Sequence, residues 1–237
     1  MLNIKSLGFI FLFSICFFTS NNVKAQKINQ FDANKKRTGV WKKYYPNKRI
    51  RYIGQFENGK EVGVFRFYDI SDSRIPIIIK TFSRTSDSVS TAFYSLNGYL
   101  KSKGFFIGKK RVGSWKYYFP NQKLMSKEFY KDGKLDGELI NYYPDGKPAE
   151  VTSYMNGMKN GLSKKFTSDG VLIEEVYFKN GKADGLAKYF ELNGNLKEKG
   201  MYTDGKRTGK WDFYFDGEVA SKEEMEKKNT FTKQKKN

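Results

Sequence analysis

Glu150, Glu174 and Glu198 stand 24 residues apart, and paired carboxylates are the side chains that glycoside hydrolysis employs as acid, base or nucleophile. Carried on successive units of a sheet, they would form a ladder along one face with a spacing of about 10 Å. That is wider than the roughly 5 Å of a retaining pair and slightly beyond the inverting range. Lys147, Lys197 and Lys199 are interspersed with them, so the ladder reads as a solvated, charge-paired face. Other chemistries fall to composition. There is no histidine, and the single cysteine, Cys16, lies in a leader expected to be removed. His-assisted and thiol nucleophiles and the common zinc sites are therefore excluded. The glycines are spaced for hairpins and none opens a helix, so no phosphate-cradling loop is present. No catalytic residue, cofactor or metal is expected.

Aromatic side chains offer binding instead, since stacked rings can hold sugars, quaternary cations or single-stranded bases. Trp41, Trp115 and Trp211 each follow a glycine by two places, where other copies of the same pattern have Phe65, Thr91, Leu139, Ser163 and Ala187. That irregular position is free to serve recognition, and the three tryptophans are the candidate partner-binding residues. A second column, five places after the glycine, is aromatic in every copy: Tyr44, Tyr68, Tyr94, Tyr118, Tyr142, Phe166, Phe190 and Tyr214. A position that never varies in kind is expected to pack one hairpin on the next.

The elements that must carry these residues follow from the period. Glycines at 39, 63, 113, 137, 161, 185 and 209 are separated by 24 residues, except that the interval from 63 to 113 holds two units, one of them eroded. Within a unit, Asn or Asp next to Gly marks two reversals, as in Asp145-Gly146 and Asn156-Gly157, with Pro46, Pro120 and Pro144 ahead of the first. The segments between are rich in Tyr, Phe, Trp, Val and Ile and too short for helices. The chain is therefore expected to be all-β: an elongated, single-layer antiparallel meander of about eight hairpin repeats, roughly 75 Å long.

The pattern Gly-x-Trp-x-x-Tyr-Tyr-Pro-Asn-x-x-Leu followed by Tyr-x-x-Gly-Lys-x-x-Gly resembles the MORN repeat, in particular its bacterial variant, over about residues 39 to 217. Many bacterial proteins built from that variant are catalogued as YwqK-family antitoxins. The resemblance implies a single-layer sheet of stacked hairpins with binding roles toward proteins or membrane lipids. Cell-wall-binding repeats also use short aromatic hairpins ending in Asn/Asp-Gly. A glycan-acting or cell-wall-binding protein using the aromatics and the glutamate ladder is thus the alternative reading.

Residues 1 to 25 read as a signal peptide, with Lys5, an apolar stretch from Leu7 to Phe18, and a small residue at the cleavage point near Ala25. The apolar stretch is shorter than the ~20 residues of a spanning helix. Secretion or a periplasmic location follows as an expectation. Residues 26 to 38 form a polar lead-in. Around 69 to 91 the repeat erodes into an apolar run, Ile75 to Ile79, and a Ser/Thr-rich stretch, with Pro76 suited to an edge or bulge. Residues 218 to 237 are expected to hold a short helix opened by the capping box Ser221-Lys-Glu-Glu224, then a basic tail. The formal charge of +19 falls by only two on loss of Lys5 and Lys24. Such a charge keeps a thin sheet soluble and suits an anionic partner. A protein or an acidic envelope glycan is the expected partner, a membrane surface is a further accessible anion, and nucleic acid is disfavoured for an exported chain.

Overall fold

The computed structural model describes residues 27–215 and 217–221; the expected signal peptide, and the helix and tail after Ser221, lie outside them. Eighteen strands follow in order: β1 (Gln30–Phe31), β2 (Arg37–Tyr44), β3 (Ile50–Glu57), β4 (Lys60–Phe67), β5 (Ile78–Phe82), β6 (Ser88–Tyr94), β7 (Leu100–Ile107), β8 (Lys110–Tyr118), β9 (Leu124–Lys131), β10 (Lys134–Leu135), β11 (Gly137–Tyr142), β12 (Pro148–Met155), β13 (Met158–Phe166), β14 (Leu172–Lys179), β15 (Lys182–Phe190), β16 (Leu196–Thr203), β17 (Lys206–Phe215) and β18 (Glu218–Val219). Each pairs antiparallel with its neighbour in sequence, and the short β10 and β11 share β9 as partner. The result is one open meander. Nothing but hairpins joins it, because each unit carries its own two reversals.

The reversals differ in kind. At Asn58-Gly59, Asp132-Gly133, Asn156-Gly157, Asn180-Gly181 and Asp204-Gly205 both central residues have positive φ, the mirror-image turn whose twist matches the strands it joins. The other reversal is a four-residue turn such as Tyr45 to Lys48, closed by Lys48 N–H donating to the Tyr45 carbonyl at 3.0 Å. Only its last residue is left-handed. Glycine takes that place at 98, 146, 170 and 194, but Lys48 and Gln122 adopt it without glycine.

The eroded unit keeps its place. Ile78↔Phe93 through Phe82↔Val89 pair β5 with β6, and β5 also pairs with β4, so the sheet runs through without a break. Pro76 is at neither an edge nor a bulge: it precedes an interior strand, whose first bond is Ile77 N–H to the Phe67 carbonyl at 2.8 Å. Its missing N–H costs nothing there. Beyond Gly217, where the repeat was expected to stop, β18 adds a short final pairing to β17.

Alternation along each strand gives the sheet two unlike faces. One is buried by its own side chains, with Phe56, Phe65, Thr91, Trp115, Ser126, Thr152, Ser163, Val176 and Ala187 nearly or fully inaccessible. They line a seam where the fifteenth residue after one repeat glycine meets the second residue after the next. The two places compensate in size. Gly54 meets Phe65, Gly104 meets Trp115 and Gly200 meets Trp211, and in each case a Cβ on the glycine would collide with the ring. Where the fifteenth residue is larger its partner shrinks, as in Thr152 with Ser163 and Val176 with Ala187.

The repeat glycine follows the seam. In the units with a ring at the second place, Gly39, Gly63, Gly113 and Gly209 have φ of 62–69°, whereas Gly137, Gly161 and Gly185 have φ of 106–120°. With a ring on it, Gly54, Gly104 or Gly200 drops out of register inside the bulge. Without one, Thr152 and Val176 pair directly with Ser163 and Ala187, and the bulge moves one residue on. All seven glycines are left-handed, which is why the marker of the period is glycine.

Candidate functional site

The structure places the three tryptophans on the buried face, and for Trp115 this corrects the expectation of a recognition residue. Trp115 is 1% exposed, with Phe106 edge-on to its ring at 4.9 Å and its indole N–H donated to the Phe105 carbonyl at 3.1 Å. A ring so enclosed is core. Trp41 and Trp211 are half-buried in the same stacks. Phe31 and Phe56 flank Trp41 at 5.1 and 5.8 Å, and Tyr202 stands edge-on to Trp211 at 5.3 Å. Gaps over glycine account for Trp115 and Trp211, and for Phe65 in the third such seam, whereas Trp41 packs between Phe31 and Phe56 near the first strand. Recognition by these rings is not needed to explain their irregular occurrence.

A companion residue completes each stack. Arg37, Arg111 and Arg207, two places before the glycine, set their guanidinium carbons 4.9, 4.8 and 3.9 Å from the rings of Trp41, Trp115 and Trp211. The other units have Glu61, Leu135, Lys159 and Ala183 at that place, so Arg-x-Gly-x-Trp recurs as a block. The contact adds roughly 0.5–1 kcal/mol or more each. The co-occurrence is visible in the sequence once the units are aligned. Arg111 also donates to the Tyr130 hydroxyl at 3.1 Å, which in turn donates to Glu128 at 2.7 Å.

The invariant aromatic column sits at or next to strand ends, and at Tyr44, Tyr94, Tyr118, Tyr142, Phe166 and Phe190 the register slips by one residue. Tyr68, Tyr94, Tyr118, Tyr142, Phe166, Phe190 and Tyr214 are half-buried there and Tyr44 is exposed. The next residue helps tie units together, as when the Tyr45 hydroxyl donates to the Tyr68 carbonyl at 2.9 Å and that of Tyr143 to the Phe166 carbonyl at 2.7 Å.

The glutamate ladder is charge-paired, but with other partners than its flanking lysines. Glu150 meets Lys159 at 3.4 Å, Glu174 meets Lys165 at 3.0 Å, and Glu198 takes a two-pronged contact from Arg207 at 3.0 Å. Lys197 and Lys199 cannot serve Glu198, because adjacent residues of a strand point to opposite faces. Lys147 pairs with Asp145 at 3.8 Å. Burial pushes the Glu150 carboxyl up, but hydrogen bonds from Thr152, Lys159 and Asn141 and the Lys159 charge together hold it below the usual range. A general acid at neutral pH needs the opposite shift. No group of three or more His, Cys, Asp or Glu is placed to hold a metal among the described residues.

Buried phenols and paired carboxylates together set the pH range of folding. Burial, then neighbouring hydroxyls and carboxylates, raises the phenols of Tyr117, Tyr130 and Tyr189, and burial and nearby glutamates raise that of Tyr154. For Glu175, burial acts upward and is outweighed by hydrogen bonds and charge from Lys188 and Lys164. Raised tyrosines contribute stability that is intact below pH 10 and lost as pH rises further; lowered carboxylates contribute stability lost as pH falls below about 4.5. Urea midpoints should therefore hold through neutral pH and drop at both extremes. A midpoint unchanged at pH 11, with tyrosinate absorbance already fully developed in the folded chain, would contradict this burial.

The other face is open. Val64, Phe105, Met125, Tyr177, Leu186 and Met201 are exposed on it, and Leu162↔Tyr177 and Leu186↔Met201 form a row across β13 to β16. Between such rows run lysines and a few acids. Beside the eroded unit a depression of about 620 Å³ is lined by Asp69, Ile77, Phe93, Tyr94, Leu96 and Lys101 among others.

No curated protein matches the chain. Among solved structures, it aligns with a mutant S. aureus TarM in complex with fondaparinux, α-GlcNAc-glycerol and UDP, at 11% identity over 40% of this chain and 19% of that one, with a TM-score of 0.28. A second TarM crystal structure aligns at 18% identity over 56% of this chain and 22% of that one, with a TM-score of 0.27. The chain spans about a fifth of the length of those proteins. The family model described as the MORN repeat variant matches residues 37–58, 111–132, 135–156, 159–180 and 183–204. These are five regular units of the meander, each a β-hairpin whose glycine, aromatic column and Asn/Asp-Gly turn fit the repeat, and the chain is a MORN-variant repeat protein.

Proposed function

We propose that this chain is an exported, non-catalytic binding or assembly module that presents the open face of its sheet to a protein or acidic envelope component. The observation that carries the reading is the division of labour between faces: the rings of one are consumed in joining hairpins, while the other exposes apolar rows interleaved with lysines. Exposed apolar surface of this kind marks contact sites. Export rests on the signal-like segment 1 to 25. The antitoxin role implied by the resemblance belongs to the same class of function, capture of a protein. Against glycan action by Glu150, Glu174 and Glu198 stand their ion pairs.

A tagged mature chain, incubated with an envelope extract of the source cell, should retain a partner at low salt and release it at about 0.5 M, where the Debye length is under ~5 Å. N-terminal sequencing of the chain expressed with its leader in the source cell should begin at Gln26. No captured partner would defeat the module, and a retained leader would defeat export. A partner that survives high salt and is lost only on replacing Trp41 and Trp211 would place the site on the buried face.

A further inference from the structure

We propose that Lys103, Lys116 and Lys127 form a comb on the open face that docks one acidic amphipathic helix of a partner protein, laid across the strands; this rests on the binding-module reading. The three are directly opposed on β7, β8 and β9, Lys103 with Lys116 and Lys116 with Lys127. Uncharged residues close the row, Ala92 on one side and Ile140 on the other. Like charges opposite each other on adjacent strands destabilise a sheet. None of the three lysines forms an ion pair among the described residues. The outer two lean in different directions, Lys103 Nζ over the Tyr118 ring at 5.9 Å and Lys127 Nζ over Phe129 at 4.9 Å, the relaxation that mutual repulsion produces.

The same row further along shows what the repeat does when no anion is awaited. Lys164, Glu175 and Lys188 are directly opposed on β13, β14 and β15, and Glu175 pairs with both lysines at 3.3 Å. The fold can seat an anion of its own between two cations of this row, and at its middle it leaves three cations instead.

Geometry selects the ligand. Adjacent strands are about 4.8 Å apart, so the comb spans about 10 Å. Residues i, i+4 and i+7 of an α-helix share one stripe and span about 10.5 Å along its axis. Glutamates at those places meet the lysines in register. Phe105 and Phe129, two places beyond Lys103 and Lys127, flank the comb on one side and Met125 on the other, with Phe105 and Met125 exposed. Apolar residues beside the acidic stripe would cover them. An acidic polysaccharide has no apolar stripe to offer, and a bilayer responds to total charge rather than to register.

The test is fluorescence anisotropy of the full chain with a labelled helical peptide of about 18 residues, long enough to hold helix in water, carrying Glu at i, i+4 and i+7 with Leu alongside. A scrambled peptide of the same composition, heparin, and phosphatidylserine vesicles are run beside it. Lys116→Glu recreates the alternating arrangement of Lys164, Glu175 and Lys188, so it should raise the melting temperature and weaken the peptide at least about tenfold. Opposite signs exclude misfolding as the cause. Combined Lys60→Ala, Lys109→Ala and Lys179→Ala, which remove three charges elsewhere against the two lost in Lys116→Glu, should weaken it less than about threefold. Equal binding of the scrambled peptide, a lowered melting temperature in Lys116→Glu, an equal loss in the control triple, or tighter binding to heparin or vesicles each overturns the comb. If the peptide fails while the envelope extract still yields a salt-sensitive partner, the comb falls and the module stands; if the extract yields none, the module itself falls.

Discussion

Replacing Gly104 by Val should lower the unfolding free energy by about 3 kcal/mol, the upper end of the cost of overpacking, and adding Trp115→Ala to the same chain should recover much of that loss. A Cβ at residue 104 meets the fused ring of Trp115, which Phe106 and Arg111 hold in place at 4.9 and 4.8 Å. The ring cannot swing aside as a flexible chain end would. Trp115→Ala alone should cost about 4 kcal/mol, because it leaves a ring-sized void. The double variant is the informative one: its seam becomes Val opposite Ala, which the chain already uses, fully packed, at Val176 and Ala187. Denaturant unfolding of the four chains gives the coupling directly. Additive losses would mean that the two seam residues are packed independently and that the compensation in size is accidental.

Thr152→Val is expected to cost about 2 kcal/mol and Thr152→Val with Ser163→Ala close to nothing. The two hydroxyls are buried and share a hydrogen bond of 2.7 Å, and Thr152 also donates to Glu150 at 2.9 Å. Removing one member strands the Ser163 hydroxyl without its partner, whereas removing both leaves no polar group to satisfy. Again the product is the Val and Ala seam of the following unit. Should the double variant be the less stable, the loss would trace to packing at residue 163, because the Thr152 contact to Glu150 is absent from both variants. Thermal melts of the two variants against the parent chain settle the order.

The turns and the period were legible because they are local. Asn58-Gly59 and its counterparts name their own backbone conformation, and a left-handed bulge residue recurring every 24 positions can only be glycine for long. The eroded unit shows how far pattern reading extends: β5 and β6 form without either turn signal, since the strands on both sides supply ladders that Ile78 to Phe82 can complete. The role of the tryptophans was not legible from spacing alone. Whether a ring at the second place faces solvent depends on the residue fifteen places into the preceding unit, and only the hairpin register brings Gly104 under Trp115.

By itself the sequence determined an all-β meander of hairpins, its reversals and the unit boundaries, because strand, turn and bulge preferences act within a few residues of each other. The tertiary structure decided which residues share a face and a row. It turned Trp115 from a recognition candidate into core, gave Glu198 to Arg207 rather than to its neighbours in sequence, and aligned Lys103, Lys116 and Lys127 across three strands. The physical reason is the bulges: each shifts the register by one or two residues, so contacts between units depend on where the shift falls, and that is set by the volume of the two side chains that meet at each seam.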